Sequence, residues 1–170
     1  MEATRLDLGT LRHMFVYSDW GNAAVLSAAE KLGDEQLDRD VQTGPGTLRR
    51  ILIHTYNGEL VWLWRWRQET ETRWPDESAR TGVAQLREAL AAVARGREEF
   101  FAGLDPARLG AEQVYRDSKG KLFRAPLGEM VVQCLVHSIH HRAQATNAIR
   151  RVGGVGPELD YMMRIRVPGS

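Results

Sequence analysis

Four long runs of this chain repeat apolar or small residues at intervals of three and four. That period makes each run a helix with one buried face. The first run spans about Thr10 to Leu32, with Met14, Tyr17, Gly21, Ala24, Val25 and Ala28 along one side. Thr10 suits its N-cap and Gly33 its C-terminal stop. The second begins at Thr47, a good N-cap, and runs to about Thr70, aligning Ile51, His54, Gly58, Val61 and Arg65. The third spans about Gly82 to Leu104, and Asp105-Pro106 ends it. The fourth opens at Pro126, acceptable in a first turn, and continues to about Val152. Arg150 and Arg151 suit its C-terminus, and Gly153-Gly154 stops it. Four helices of about 20 residues, each with one apolar face, predict an all-α four-helix bundle.

The connections carry less. Gly33 to Gly46 is polar and turn-rich and reads as a loop. Gln113–Arg116 and Lys121–Arg124 flank Asp117-Ser118-Lys119-Gly120, the signal of a short β-hairpin before the last helix. The tail from Pro157 carries Leu159, Tyr161, Met162, Met163 and Ile165, so it is expected to pack back on the body. Residues 1–170 read as a single domain. Gly21, inside the first helix, marks a close helix contact. Trp62, Trp64 and Trp66 step about 200° each on a helix, so one core cannot take all three. The expectation is that at least one covers a loop or a second subunit, hence a homodimer.

Composition excludes several classes. The 23 basic and 22 acidic side chains leave a formal net charge of +1, too little for a protein held to nucleic acid by bulk charge. No stretch has the roughly 18 consecutive apolar residues of a membrane span. Met1 to Asp7 holds two acids and no apolar core, unlike a secretory signal. A lone cysteine, Cys134, fits a reducing cytoplasm. It reads as a small buried hydrophobe before a ligand or nucleophile.

Chemistry gathers at the histidines. His137 and His141, four apart in the fourth helix, lie about 40° apart around its axis and one turn apart along it. Two imidazoles so spaced can aim at one point, as paired helical metal ligands do. Their face also holds Met130, Cys134, Ala145, Ala148 and Val152, which makes it the core face. Buried imidazoles cost free energy without partners, so the pair needs a reason. One helix supplies two well-aimed ligands, and a third usually comes from a neighbour; His54 in the second helix is available. His140 sits at the edge of the face, a pocket-rim residue or an alternative ligand at i,i+3. His13 reads as structural. Arg142 can orient an anionic substrate or pair with an acid, and Gln144 lies on the same rim as His140. Glu59, about 140° round from His54, reads as a surface or inter-helix ion-pair partner.

Taken together, these segments resemble the DinB/YfiT-like family of bacterial four-helix-bundle metalloproteins. Tyr17-Ser18-Asp19-Trp20-Gly21-Asn22 is similar to that family's aromatic-x-x-Trp-small-Asn segment. Thr47 to His54, with Glu59 and Trp62 beyond it, resembles its first metal histidine and the Glu and Trp that follow. His137-x-x-x-His141-Arg142-Ala143-Gln144 resembles its HxxxHRxQ signature, and Pro157 to Tyr161 its closing segment. The departures are Gly21, where alanine is commoner, and Gly58, which interrupts the second helix beside His54. Gly58 could admit a substrate or another helix.

The resemblance implies a metal triad of His54, His137 and His141 holding a divalent transition ion, typically zinc or nickel, in a protein that is often a dimer. It also implies a small-molecule substrate, with a low-molecular-weight thiol as a possible cosubstrate. Three readings follow: a metal-dependent thiol transferase or hydrolase, a non-catalytic metal-binding stress-response bundle, and a bundle with an empty site. No carboxylate falls near the histidines on the fourth helix, so a base of the HExxH kind is missing there. That favours a nucleophile activated without one.

Overall fold

The computed structural model describes residues 6–69, 73–78 and 80–169. Its four long helices are α1 (Leu8–Ala29), α3 (Leu48–Trp66), α4 (Val83–Ala102) and α5 (Leu127–Arg151). Two strands, β1 (Glu112–Arg116) and β2 (Leu122–Pro126), form an antiparallel hairpin that pairs Tyr115 with Phe123. Short helices α2 (Asp34–Leu37) and α6 (Tyr161–Ile165) and a 3₁₀ turn (Pro106–Gly110) complete the order. The bundle is the one that the periodicity predicts, and the hairpin stands where the turn residues Asp117 to Gly120 place it. The α5 helix packs against both α3 and α1, and α4 closes the other side of α3.

Element ends differ where local chemistry outbids the sequence signal. The N-cap of α1 is Asp7, whose Oδ2 accepts from the Thr10 amide at 2.6 Å and from its hydroxyl at 2.8 Å. Thr10 is therefore the donor to the cap, one turn in. Gly33 does not stop α1, which ends at Ala29; it N-caps α2, and Gln36 bonds back to its amide at 3.1 Å. One helical turn is too short for periodicity to reveal, so the expected loop hides α2. Thr47 caps α3 as expected, accepting from the Arg50 amide. That helix ends at Trp66, because Gln68 turns into the left-handed region at φ 57°. The expected end, Thr70, lies outside the described residues, as do Met1 to Arg5. Pro126 closes β2 and precedes α5 instead of starting it. At the other end, Gly153 takes φ 87° and ends α5 as predicted.

Two apolar clusters fill the bundle. One joins Val25, Leu48, Ile51, Leu86 and Ile149; the other joins Phe15, Trp66, Phe101, Leu127 and Val131. Of the three tryptophans, Trp66 is buried against Phe15 and Phe101, and Trp62 is buried beside Tyr115 of the hairpin. Only Trp64 is left half-buried. The tail packs back through Leu159, whose carbonyl accepts from Tyr17, and through Tyr161, bonded to His13. Contrary to expectation, Met162, Met163 and Ile165 stay exposed.

Between the clusters lies a polar layer. Glu59 is 1% exposed and ties the helices together: it accepts from Asn22 of α1, Ser138 of α5 and Arg97 of α4. Arg97 also reaches Asp19 at 2.5 and 2.7 Å. Glu59 is thus the buried inter-helix partner, not a surface residue. Gly21 marks the close contact foreseen for it, since a Cβ there would meet Arg142 Nε at 3.0 Å.

Candidate metal centre

The layer's other side holds the histidines. His54 of α3 and His137 and His141 of α5 each offer a nitrogen, and the three nitrogens lie within 4.8 Å of one another. Ring centroids stand 4.4 Å apart for His54 and His141 and for His137 and His141, and 5.2 Å apart for His54 and His137. Gly58 makes this possible. A Cβ there would lie 2.2 Å from His137 Cε1, so only glycine leaves room for the imidazole against α3. What approaches α3 at Gly58 is His137 itself.

Hydrogen bonds behind two of the rings set which nitrogen faces inward, whereas His137 Nδ1 is buried without a partner among the described residues. His54 Nδ1 donates to Glu77 Oε1 at 2.7 Å, and Trp74 Nε1 donates to the same oxygen at 2.6 Å. His141 Nδ1 donates to Gln144 Oε1 at 2.8 Å, and Gln144 Nε2 turns to His140 at 2.9 Å. Each arrangement turns Nε2 inward. The Nε2 atoms of His54 and His137 are 3.3 Å apart. Burial and the neighbouring imidazoles of His141, His54 and His140 push the His137 pKa down to about 3. Burial lowers that of His141 too, against the opposing bond from Gln144. Imidazole nitrogens converging on one point are the donor set that a divalent cation takes up, and the lowered values of His137 and His141 favour the neutral form that ligation requires. These three residues could hold one.

A folded-state pKa near 3 against an ordinary 6.5 has a stability consequence. Below 6.5 the unfolded chain takes up a proton that the folded one refuses. The stability tied to neutral His137 is therefore full above 6.5 and drains away as pH falls towards 3. In chelated protein, the melting temperature should fall more steeply between pH 7 and 4 than in His137→Gln, as thermal melts at each pH will show.

Trp74 and Glu77 come from the loop after α3, and the sequence reading misses both. A lone tryptophan before Pro75 in a charged stretch is the one signal there. Glu77 brings to the histidines the carboxylate that α5 does not place beside them, from a loop whose position no helical spacing could foretell. Glu77→Ala should weaken divalent-metal binding about 10–100-fold, read by competition with a chromogenic chelator.

The other rim residues separate. His140 is exposed and bonds only to Gln144 among the described residues. Gln144 supports His141, with Gly44 packed against its amide: a Cβ at Gly44 would meet Gln144 Oε1 at 2.5 Å. Arg142 faces α1 instead, donating to the Ser18 hydroxyl at 2.7 Å and to Asn22 Oδ1 at 3.1 Å. Among the described residues it hydrogen-bonds no acid, and it does not line the cavity over the histidines. One residue is about 100° of helix, which carries it from the α3 side to the α1 side. Cys134 is buried, and burial pushes its thiol pKa well up, so it is the inert hydrophobe expected.

An open cavity of about 590 Å³ lies over His54 and His137, walled by Trp62, Trp74 and Tyr115. Among the described residues, no helix is long and apolar enough to cross a membrane.

A family model described as the DinB family matches residues 2–168. A solved structure with the same fold is that of a DinB-like protein from Bacillus cereus ATCC 10987. It is 21% identical, has a TM-score of 0.60, and the match covers 87% of this chain and 94% of that one. A comparison with curated proteins finds no matching relative.

Proposed function

The chain belongs to the DinB family, and on that premise we propose that it is a metal-dependent enzyme acting on a small molecule, with His54, His137 and His141 as ligands of one divalent ion. The observation that carries this reading is the convergence of three nitrogens beneath an open, aromatic-walled cavity. Three protein ligands leave coordination open, which is the pattern of catalytic sites and not of closed structural ones. When bound, the ion supplies Lewis acidity that lowers the proton affinity of a coordinated thiol or water. Zinc or nickel suits an all-imidazole donor set.

The chain's own residues do the rest. Glu77 and Gln144 hold the protons at Nδ1 of His54 and His141, keeping the facing nitrogens free. Trp74 shields His54, its ring centroid 4.9 Å away, and limits water. The substrate is a small electrophile, and a low-molecular-weight thiol is the preferred cosubstrate. A protein that binds metal without catalysis is the second reading; the open cavity favours the first. Residence in the cytoplasm, with Cys134 reduced, belongs to the same proposal. So does a homodimer, for which the exposed Val136 and Ile139 of α5 supply an apolar face.

The test is turnover of a panel of small electrophiles with bacillithiol, mycothiol, glutathione or water, by metal-loaded and by chelated protein. Turnover that appears only with metal supports the enzyme. No turnover with any partner, at full metal occupancy, favours the non-catalytic reading.

A further inference from the structure

Four arginines of the described chain are buried, and three of them have partners. Arg49 donates to Asp38 at 2.6 Å and to Asp34 at 2.5 Å. Arg97 holds Asp19 and Glu59; Arg142 has no ion pair and one buried, unpartnered Nη2, but its Nη1 donates to Ser18 and Asn22. Arg65 is different. It is 7% exposed, yet among the described residues its guanidinium has no hydrogen bond and no ion pair, and its Nε is sealed from solvent without a partner. Burial lowers its pKa, as an uncompensated buried cation requires. Leaving such a charge alone is costly.

What holds Arg65 is aromatic. Its guanidinium carbon lies 4.6 Å from the Trp62 ring centre and 5.2 Å from that of Tyr115. Contact with two ring faces inclined 53° to each other holds the guanidinium in place and leaves edge donors for a ligand. Arg65 lines the same cavity as the histidines. Among the described residues, the cavity's carboxylates are engaged elsewhere: Glu77 with His54 and Trp74, and Asp117 with the amides of Lys119 and Lys121 in the hairpin turn. Asp117 is close enough to favour the cation's charge but makes no bond to it.

We infer that Arg65 is the anion-recognising residue of this cavity, and that the substrate of the proposed enzyme carries a carboxylate or phosphate group distant from its reacting end. Arg65 stands eleven residues beyond His54, three turns along α3 and again on the same face, roughly 16 Å away along the axis. A molecule that spans the two sites is elongated, with its reacting end at the histidines, an apolar body against Trp62, and its oxyanion paired with the guanidinium edge. The inference rests on the proposed small-molecule function for its setting, but not on the metal's identity.

The experiment measures binding by calorimetry to metal-loaded protein, with 3-phenylpropionate, 2-phenylethyl phosphate and neutral 3-phenylpropanamide as probes. At least one anion should bind about tenfold or more tightly than the amide, because charge-assisted bonds are the stronger ones. Which anion does so tells carboxylate from phosphate. Arg65→Met should bring that preference to about twofold or less, with metal content unchanged, and Arg65→Lys should restore part of it. Equal binding of anions and amide, no saturable anion binding at millimolar concentration, or a preference that survives in both Arg65 variants overturns the inference. A preference that survives in them reports an anion bound at the metal. Wild-type protein that lacks metal but keeps the Arg65-dependent preference would separate failure of the metal reading from failure of this one.

Discussion

Glu59→Ala should destabilise the protein by about 3–5 kcal/mol, the cost of breaking a buried ion pair by removing one partner. Both oxygens of Glu59 are used: Oε2 accepts from Arg97 at 3.1 Å, and Oε1 accepts from Asn22 at 2.8 Å and Ser138 at 2.9 Å. Alanine leaves two buried donors without an acceptor and leaves Arg97 with Asp19 alone. Arg97 cannot move out to water easily, because its guanidinium carbon lies 4.2 Å from the Phe15 ring centre and the side chain is 3% exposed. Glu59→Gln keeps an acceptor and most of the shape, so its loss should be the smaller. Urea unfolding with an unchanged m-value will separate a true stability loss from a change in the unfolded state. The four helices meet at this residue, so the effect should exceed that of truncating any exposed ion pair, such as Arg87 with Glu30.

Gly58→Ala should abolish tight metal binding, although the same change in an ordinary helix interior stabilises it by about 1 kcal/mol. The new Cβ would lie 2.2 Å from Cε1, 2.6 Å from Nδ1 and 3.1 Å from Nε2 of His137. The ring has to leave its place, and it takes its lone pair away from the other two. Metal affinity should fall more than about 100-fold, beyond the effect of losing an outer hydrogen-bond partner. The helix content should survive, as circular dichroism will report. Retention of wild-type affinity would mean that His137 is not a ligand in the position described.

The sequence carries the long helices because their burial is periodic, and period survives without knowledge of neighbours. It carries His137 and His141 for the same reason: both lie on one helix, where spacing is geometry. His54 joins them through α3 packing on α5, which spacing alone could only allow. The role of Gly58 was open to two occupants, and only the helix crossing shows that it is an imidazole. Trp74, Glu77 and Gly44 arrive from loops, whose paths are set by tertiary contacts and leave no period to read. Arg142 illustrates a further limit. One residue beyond His141 it turns to a different helix, so adjacency in sequence placed it beside a pocket that it does not enter.

If His54, His137 and His141 hold one divalent ion, that ion should come with the purified protein and depend on all three side chains. Elemental analysis of the protein purified without added metal or chelator tests it most directly, alongside His54→Ala, His137→Ala, His141→Ala and His140→Ala. One ion per chain is expected in the wild type and in His140→Ala, and almost none in the other three. Metal lost from His140→Ala but kept by His137→Ala would contradict it.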